Sequence, residues 1–117
     1  MKNKEENIIL TKSFAFALDI IDLYDKLMAV KHWDIARQVL NSGTSIGANV
    51  RESQRAVSKA DFINKLGIAL KEADETQYWF EIIDLKTLKV DDKMKKTIDE
   101  IIRLLTSIIN STRKNNS

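Results

Sequence analysis

Apolar side chains recur at alternating steps of four and three along four long stretches of this chain, and only short breaks separate the stretches. That rhythm keeps one side of a helix apolar over its whole length, so the chain is constrained to long helices packed side by side. The breaks agree with this. Proline is absent and glycine occurs three times in 117 residues, whereas a strand-rich chain of this length needs many turns and the residues that make them. Hydrophobic residues at 44% and charged residues at 31% belong to a folded chain rather than a disordered one.

The pattern predicts helices over residues 4–29, 34–57, 59–86 and 91–112. In the first, Leu10, Phe14, Ala17, Ile21, Tyr24 and Met28 make the stripe expected to face inward. A second stripe, Phe16, Ile20, Leu23, Leu27 and Val30, obeys the same rule on nearly the opposite side. One bundle core cannot cover both. Phe16, Ile20, Leu23 and Leu27 are therefore expected at an interface between copies, unless the helix is buried over one wide arc. In the second helix Ala36, Val39, Gly43, Ile46, Val50 and Val57 are the expected core, with Ser53 the polar exception and Asp34 the expected cap. Gly43 and Gly47 lie one turn apart, and each costs about 1 kcal/mol relative to alanine in a helix. Close approach of a neighbouring backbone would offset that; the alternative is a kink near Gly43.

In the third helix, Ser58 followed by Asp61 resembles a capping box with Asp in place of Glu. Phe62, Leu66, Ala69, Ala73, Thr76, Phe80 and Ile83 form its inward stripe. A second stripe of Ile68, Glu72, Glu75, Trp79 and Ile82 sets two carboxylates among apolar side chains. Buried acids need partners, which Arg37, Arg51, Arg55 or a lysine of another copy could supply; otherwise the two carboxylates reach water. Ile68, Glu72, Glu75 and Trp79 count as expected interface residues. In the fourth helix Asp91 and Asp92 suit a helix start. Met94, Ile98, Ile101, Leu105 and Ile108 form its seam, widened by Ile102 and Ile109, and its other face is polar.

Long helices joined by short turns imply antiparallel neighbours. The expected fold is all-α, one domain over residues 1–117, an up-down-up-down left-handed four-helix bundle assembled from several copies. Net charge is only +2, but that topology sorts charge by height. One end gathers Lys2, Lys4, Lys12, Arg51, Arg55, Lys59, Lys65, Arg113 and Lys114 against Glu5, Glu6, Glu52 and Asp61, while the middle is acidic. Repeated around an oligomer, such an end attracts phosphate chains without reading their sequence. Arg51, Arg55, Lys59 and Lys65 are the expected phosphate contacts. Lysine-rich helix ends also solvate ordinary bundles and complement helix C-termini.

Catalysis finds little to work with. Cysteine is absent and His32 is the only histidine, so thiolate metal sites and two-histidine sites within one chain are excluded. Glu72 and Glu75 alone are a weak metal signal. The GTSIG segment at 43–47 lacks the lysine and spacing of a phosphate-binding loop. Ser42, Ser45 and Ser53 have no histidine near in sequence to activate them. No enzyme activity, metal or cofactor is expected. No apolar segment approaches the ~18 residues that span a bilayer. The start, MKNKEENIIL, lacks the apolar run of a signal peptide, so no membrane contact and a cytoplasmic protein are expected.

RQVLNSGTSIGANVRE at 37–52 and SKADFINKLGIALKEADETQYW at 58–79 resemble a known bacterial family. It comprises the four-helix-bundle proteins encoded within intervening sequences of 23S rRNA genes, together with the accessory variability determinant of diversity-generating retroelements. The resemblance implies a homopentameric ring and a role in binding structured RNA or DNA. It also implies packing or subunit-contact roles for Gly43, Ser45, Gly47, Asn49 and Glu52 on the second helix, and for Asp61, Phe62, Glu72, Glu75 and Trp79 on the third. Retroelement members partner a reverse transcriptase and are strongly basic. This chain carries only +2 and departs from them there, so self-association and RNA or DNA rank above that partner.

Overall fold

The computed structural model describes residues 3–115, which form four helices: α1 (Lys4–Ala29), α2 (Trp33–Ser53), α3 (Lys59–Lys86) and α4 (Asp92–Lys114). Three of them start where a side chain takes the free amides of the first turn. Asn3 Oδ1 accepts from the Glu6 N–H at 2.9 Å and the Glu6 carboxylate accepts from the Asn3 N–H, a reciprocal capping box. Ser58 Oγ accepts from the Asp61 N–H at 3.0 Å, and Asp91 Oδ1 accepts from the Lys93 N–H at 2.8 Å. α2 is the exception. Its preceding residue, His32, makes no side-chain cap bond, and the expected cap Asp34 sits inside the first turn, bound to Arg37 at 2.6 Å. The chain turns into α2 through Lys31 at φ 67°, in the left-handed region that favours glycine.

The expected end of the second helix is corrected. The N–H groups of Gln54, Arg55 and Ala56 each bond the carbonyl three residues back, which tightens and ends the helix. Val57 lies beyond that stop, 92% exposed, with its N–H bonded to the Asp61 carboxylate at the start of α3. It is not a core residue.

A larger correction concerns α1. Phe16, Ile20, Leu23 and Leu27, expected at an interface, are buried in the chain's own core. The stripe expected inside has its Phe14 and Ile21 exposed and its Leu10, Ala17, Tyr24 and Met28 half-buried. The physical reason lies on α2. A Cβ added at Gly43 would lie 2.6 Å from the Ile20 side chain, and one at Gly47 would lie 3.2 Å from the Ser13 carbonyl oxygen. The two glycines leave a channel into which the Ser13–Ile20 side of α1 settles, so that side of α1 turns inward. α2 runs unbroken past both glycines.

α1 packs on α2 and α4, and α3 packs on the same two helices, with no backbone contact across either diagonal. The Phe16 and Phe80 rings, 6.1 Å apart, fill the centre between α1 and α3. Around them lie Val39, Ile46 and Val50 of α2, Leu66 and Ile83 of α3, and Ile98, Ile101, Leu105 and Ile108 of α4, all buried. Fully burying each such side chain contributes about 1.5–3 kcal/mol. One buried hydrogen bond ties α2 to α3: the Ser42 and Thr76 hydroxyls are 2.9 Å apart. Surface pairs set the levels. Glu5 meets Ser107 and Lys12 meets Glu100 between α1 and α4; Glu52 meets Lys65 between α2 and α3; Gln77 meets Asp99 and Asp84 meets Lys95 between α3 and α4. The body measures 51 × 22 × 19 Å. No described helix is long and apolar enough to cross a membrane.

Candidate functional site

The most unusual surface lies along α1 where it borders α2. Phe14 and Leu18 are 55% and 52% exposed and Ile21 is 43% exposed, on a helix whose other apolar stripe is already buried. Leu10, Thr11, Phe14 and Ala17 wall one side of an open groove, and Thr44, Gly47, Ala48, Arg51 and Glu52 of α2 wall the other. The Arg51 guanidinium lies 5.7 Å from the Phe14 ring centre, an exposed cation–π contact of about 0.5–1 kcal/mol. Single exposed apolar residues are ordinary; a continuous stripe of them makes this surface the candidate site.

A second surface lies along α3 on the side nearer α2. Ile68 is exposed, Glu72 and Trp79 are half-buried, and Glu75 is exposed. Partial burial, then repulsion from Glu75, raise the Glu72 pKa above the ordinary carboxylate range, with Lys71 opposing them. Neither carboxylate has an ion pair or side-chain hydrogen bond among the described residues, so the arginines expected to neutralise them within the chain are elsewhere. The Trp79 indole N–H is shielded from water and has no acceptor among the described residues.

The basic end is partly self-neutralised. Lys65 binds Glu52 at 3.1 Å and Lys12 binds Glu100 at 3.2 Å. The Lys59 ammonium donates to the Asn115 carbonyl, holding the start of α3 against the end of α4. Arg51 lies over Phe14, on the flank of the bundle rather than across its end. Arg55 is exposed in the α2–α3 turn and forms no ion pair among the described residues, and the same holds for Arg113 and Lys114 on the last turn of α4. Lys2 lies outside the described residues. The structure thus separates the four expected phosphate contacts. Arg55 and Lys59 share the end surface, Lys65 is paired, and Arg51 belongs to the α1–α2 groove.

The glycines of α2 face α1, but Ser45 and Asn49 do not join them. Ser45 Oγ donates to the Asn41 carbonyl at 2.6 Å and Asn49 Nδ2 donates to the Ser45 carbonyl at 2.9 Å, both within α2. At the opposite end of the molecule, the Asp84 carboxylate accepts from the Val90 N–H at 2.7 Å and pairs with Lys95. These contacts hold its pKa below the usual range, the Lys95 hydrogen bond first, and raise that of Lys95. Sequence reasoning missed this staple of the α3–α4 turn; the acid and base are eleven positions apart, and nothing local pairs them. Among the described residues, no three His, Asp or Glu side chains converge as metal ligands would.

A family model described as 23S rRNA-intervening sequence protein matches residues 5–108. The chain belongs to this family. The crystal structure of a Bacteroides thetaiotaomicron protein of unknown function from the S23 ribosomal protein family is similar to it. That structure has 44% identity and a TM-score of 0.82, covering 91% of this chain and 98% of that one. A comparison with curated proteins gives no match. The matched segment contains both side surfaces and the α2–α3 turn, and it stops before Arg113 and Lys114.

Proposed function

We propose that this family member is a non-enzymatic, single-domain four-helix bundle that assembles with copies of itself and holds RNA or DNA phosphates at its basic end. The outward apolar stripe of α1 carries the reading. It has the spacing of a packing seam, and no part of the described chain covers Phe14, Leu18 or Ile21. An up-down-up-down order is supported by the way partner numbers run oppositely in adjoining helices, as with Glu5 and Ser107, then Lys12 and Glu100. Left-handed crossing follows from the four-three spacing. Five copies in a homopentameric ring is the number the family resemblance implies.

Around such a ring, Arg55, Lys59, Arg113 and Lys114 repeat and become a positive rim. Anisotropy titrations with an RNA hairpin and a DNA duplex at about 50 and 200 mM salt test it. Affinity should fall by about tenfold or more at the higher salt. Arg55→Glu with Arg113→Glu should weaken both nucleic acids alike. No binding at low salt, or binding indifferent to salt, overturns the nucleic-acid role.

A second reading has its own support. Lys65 is paired with Glu52 and Arg51 is engaged with Phe14, so two of the four expected phosphate contacts are committed within the chain. In that reading the protein is a scaffold that binds only protein, itself included. It predicts a stable oligomer with no salt-dependent affinity for RNA or DNA.

A further inference from the structure

Two side surfaces are left without a partner in the single chain, and they flank the same helix. One is the α1–α2 groove, with Phe14, Leu18, Ile21 and the Arg51 guanidinium. The other is the α3 stripe, with Ile68, Glu72, Glu75 and Trp79. We propose that these two surfaces are the two halves of one head-to-tail contact: the α1–α2 groove of each copy takes the α3 stripe of the next. The proposal rests on the reading that copies assemble, and it names which surfaces meet.

Three observations fit the two halves together. First, their chemistry is complementary. One half is apolar and carries the Arg51 guanidinium, its one carboxylate, Glu52, being paired with Lys65; the other is apolar and carries two carboxylates without ion-pair partners among the described residues. An α3 stripe placed against its own copy would set carboxylates against carboxylates, and a groove against its own copy held at the same level would set Arg51 against Arg51. Like charges brought together in that way disfavour both pairings.

Second, the halves occupy the same stretch of the long axis. Arg51, which stacks on Phe14, is the neighbour in sequence of Glu52, which binds Lys65 at the start of the α3 stripe. Ile20, which fits against Gly43, lies one residue from Ile21; Ser42, which meets Thr76, lies one residue from Gly43. Phe14 is therefore nearly level with Ile68, and Ile21 with Glu75. Copies related by rotation about an axis along the bundle keep their levels, so the two stripes meet without sliding.

Third, the geometry closes. The four helices pack as a square, each touching two neighbours and not the diagonal one. Surfaces on either side of α2 then lie on adjacent sides of that square rather than opposite ones. A head-to-tail contact between opposite sides would extend into a filament, whereas one between adjacent sides turns each copy relative to the last and closes a small ring. In this arrangement Arg51 serves the contact between copies and leaves the phosphate-binding set.

Two variants decide it, each changing an exposed residue of one half only. Phe14→Glu blocks the groove and leaves the stripe; Ile68→Glu blocks the stripe and leaves the groove. Mass is measured by light scattering for each alone and for an equal mixture, with circular dichroism confirming helix content. Leu18→Glu replaces Phe14→Glu should that variant lose helix. The expected result is 13.4 kDa for each variant alone and twice that mass for the mixture, because one intact groove and one intact stripe remain to pair. An oligomeric wild type whose Ile68→Glu variant dimerises alone shows groove meeting groove and overturns the proposal. So does a variant that keeps the full wild-type mass, or a mixture that stays at monomer mass. A monomeric wild type instead overturns the assembly reading beneath it.

Discussion

Helices α1 and α4 lie side by side against one core, yet their outer surfaces differ in kind. α4 buries Met94, Ile98, Ile101, Leu105 and Ile108 and turns Lys96, Asp99, Arg103, Thr106 and Asn110 to solvent. α1 buries Ile9, Phe16, Ile20, Leu23 and Leu27, then turns a second apolar row outward. The difference shows that the apolar residues of α1 exceed what folding of one copy requires, and the excess is what an interface would use.

The comparison breaks most visibly in solution mass. Leu18→Glu on α1 should reduce an assembled protein to monomer, whereas Thr106→Glu on α4, the same charge on a polar face, should leave the mass unchanged; light scattering on both reads the contrast. If both variants behave alike, the outer faces of the two helices are equivalent and the contrast is lost.

Stability sharpens the division within α1 itself. Ile20→Ala should lower unfolding free energy by about 2–5 kcal/mol, because it empties a packed site against Gly43. Ile21→Ala, one residue away and 43% exposed, should cost far less in the monomer-forming Leu18→Glu background. Urea denaturation in that background measures both without the contribution of assembly.

Glycine provides a smaller, opposite-signed pair. Gly43→Ala puts a methyl group into the Ile20 side chain and should destabilise by about 1–3 kcal/mol. Gly67→Ala meets nothing within 4 Å and should stabilise α3 by about 1 kcal/mol through helix propensity. A loss at both positions would show that Gly67 also serves close packing.

Two carboxylates should give the weakest effects, again of opposite sign. Asp84 has a lowered pKa in the fold, so its contribution is present above its ordinary value of 3.8 and is lost as pH falls through the folded value. Asp84→Asn should flatten that acid limb. Glu72 has a raised pKa, so its ionisation opposes folding as pH rises from 4.5 through the folded value, and Glu72→Gln should relieve this at neutral pH. Denaturation of the Leu18→Glu background across pH 3–7 reads both directions.

The helices and most of the core were legible because period and burial coincide: the seams of α2, α3 and α4 read directly as Val39, Ile46, Phe80, Ile98 and their neighbours. α1 defeated the same reasoning because its two stripes are equally apolar and period alone cannot rank them. The deciding signal was Ser13, which reads as polar and so hid the continuation of the buried row to Ile9. Its small side chain is what the Gly47 approach requires, and small residues on two helices at matching positions would have picked the inward face. Val57 failed for a different reason: the stop at Ser53 depends on backbone bonds and on Asp61 reaching back, neither of which period records. At the basic end the charges were countable, but their partners were not. Glu52 with Lys65 and Phe14 with Arg51 are contacts between helices, fixed by register rather than by sequence spacing.

Sedimentation equilibrium of the wild-type chain, from sub-micromolar to high micromolar concentration, tests most directly whether the outer row of α1 is an interface. A mass several times 13.4 kDa, reached by association as concentration rises, is the predicted result. A folded species that remains at 13.4 kDa throughout that range would contradict the account, since Phe14, Leu18 and Ile21 would then face water in the working protein.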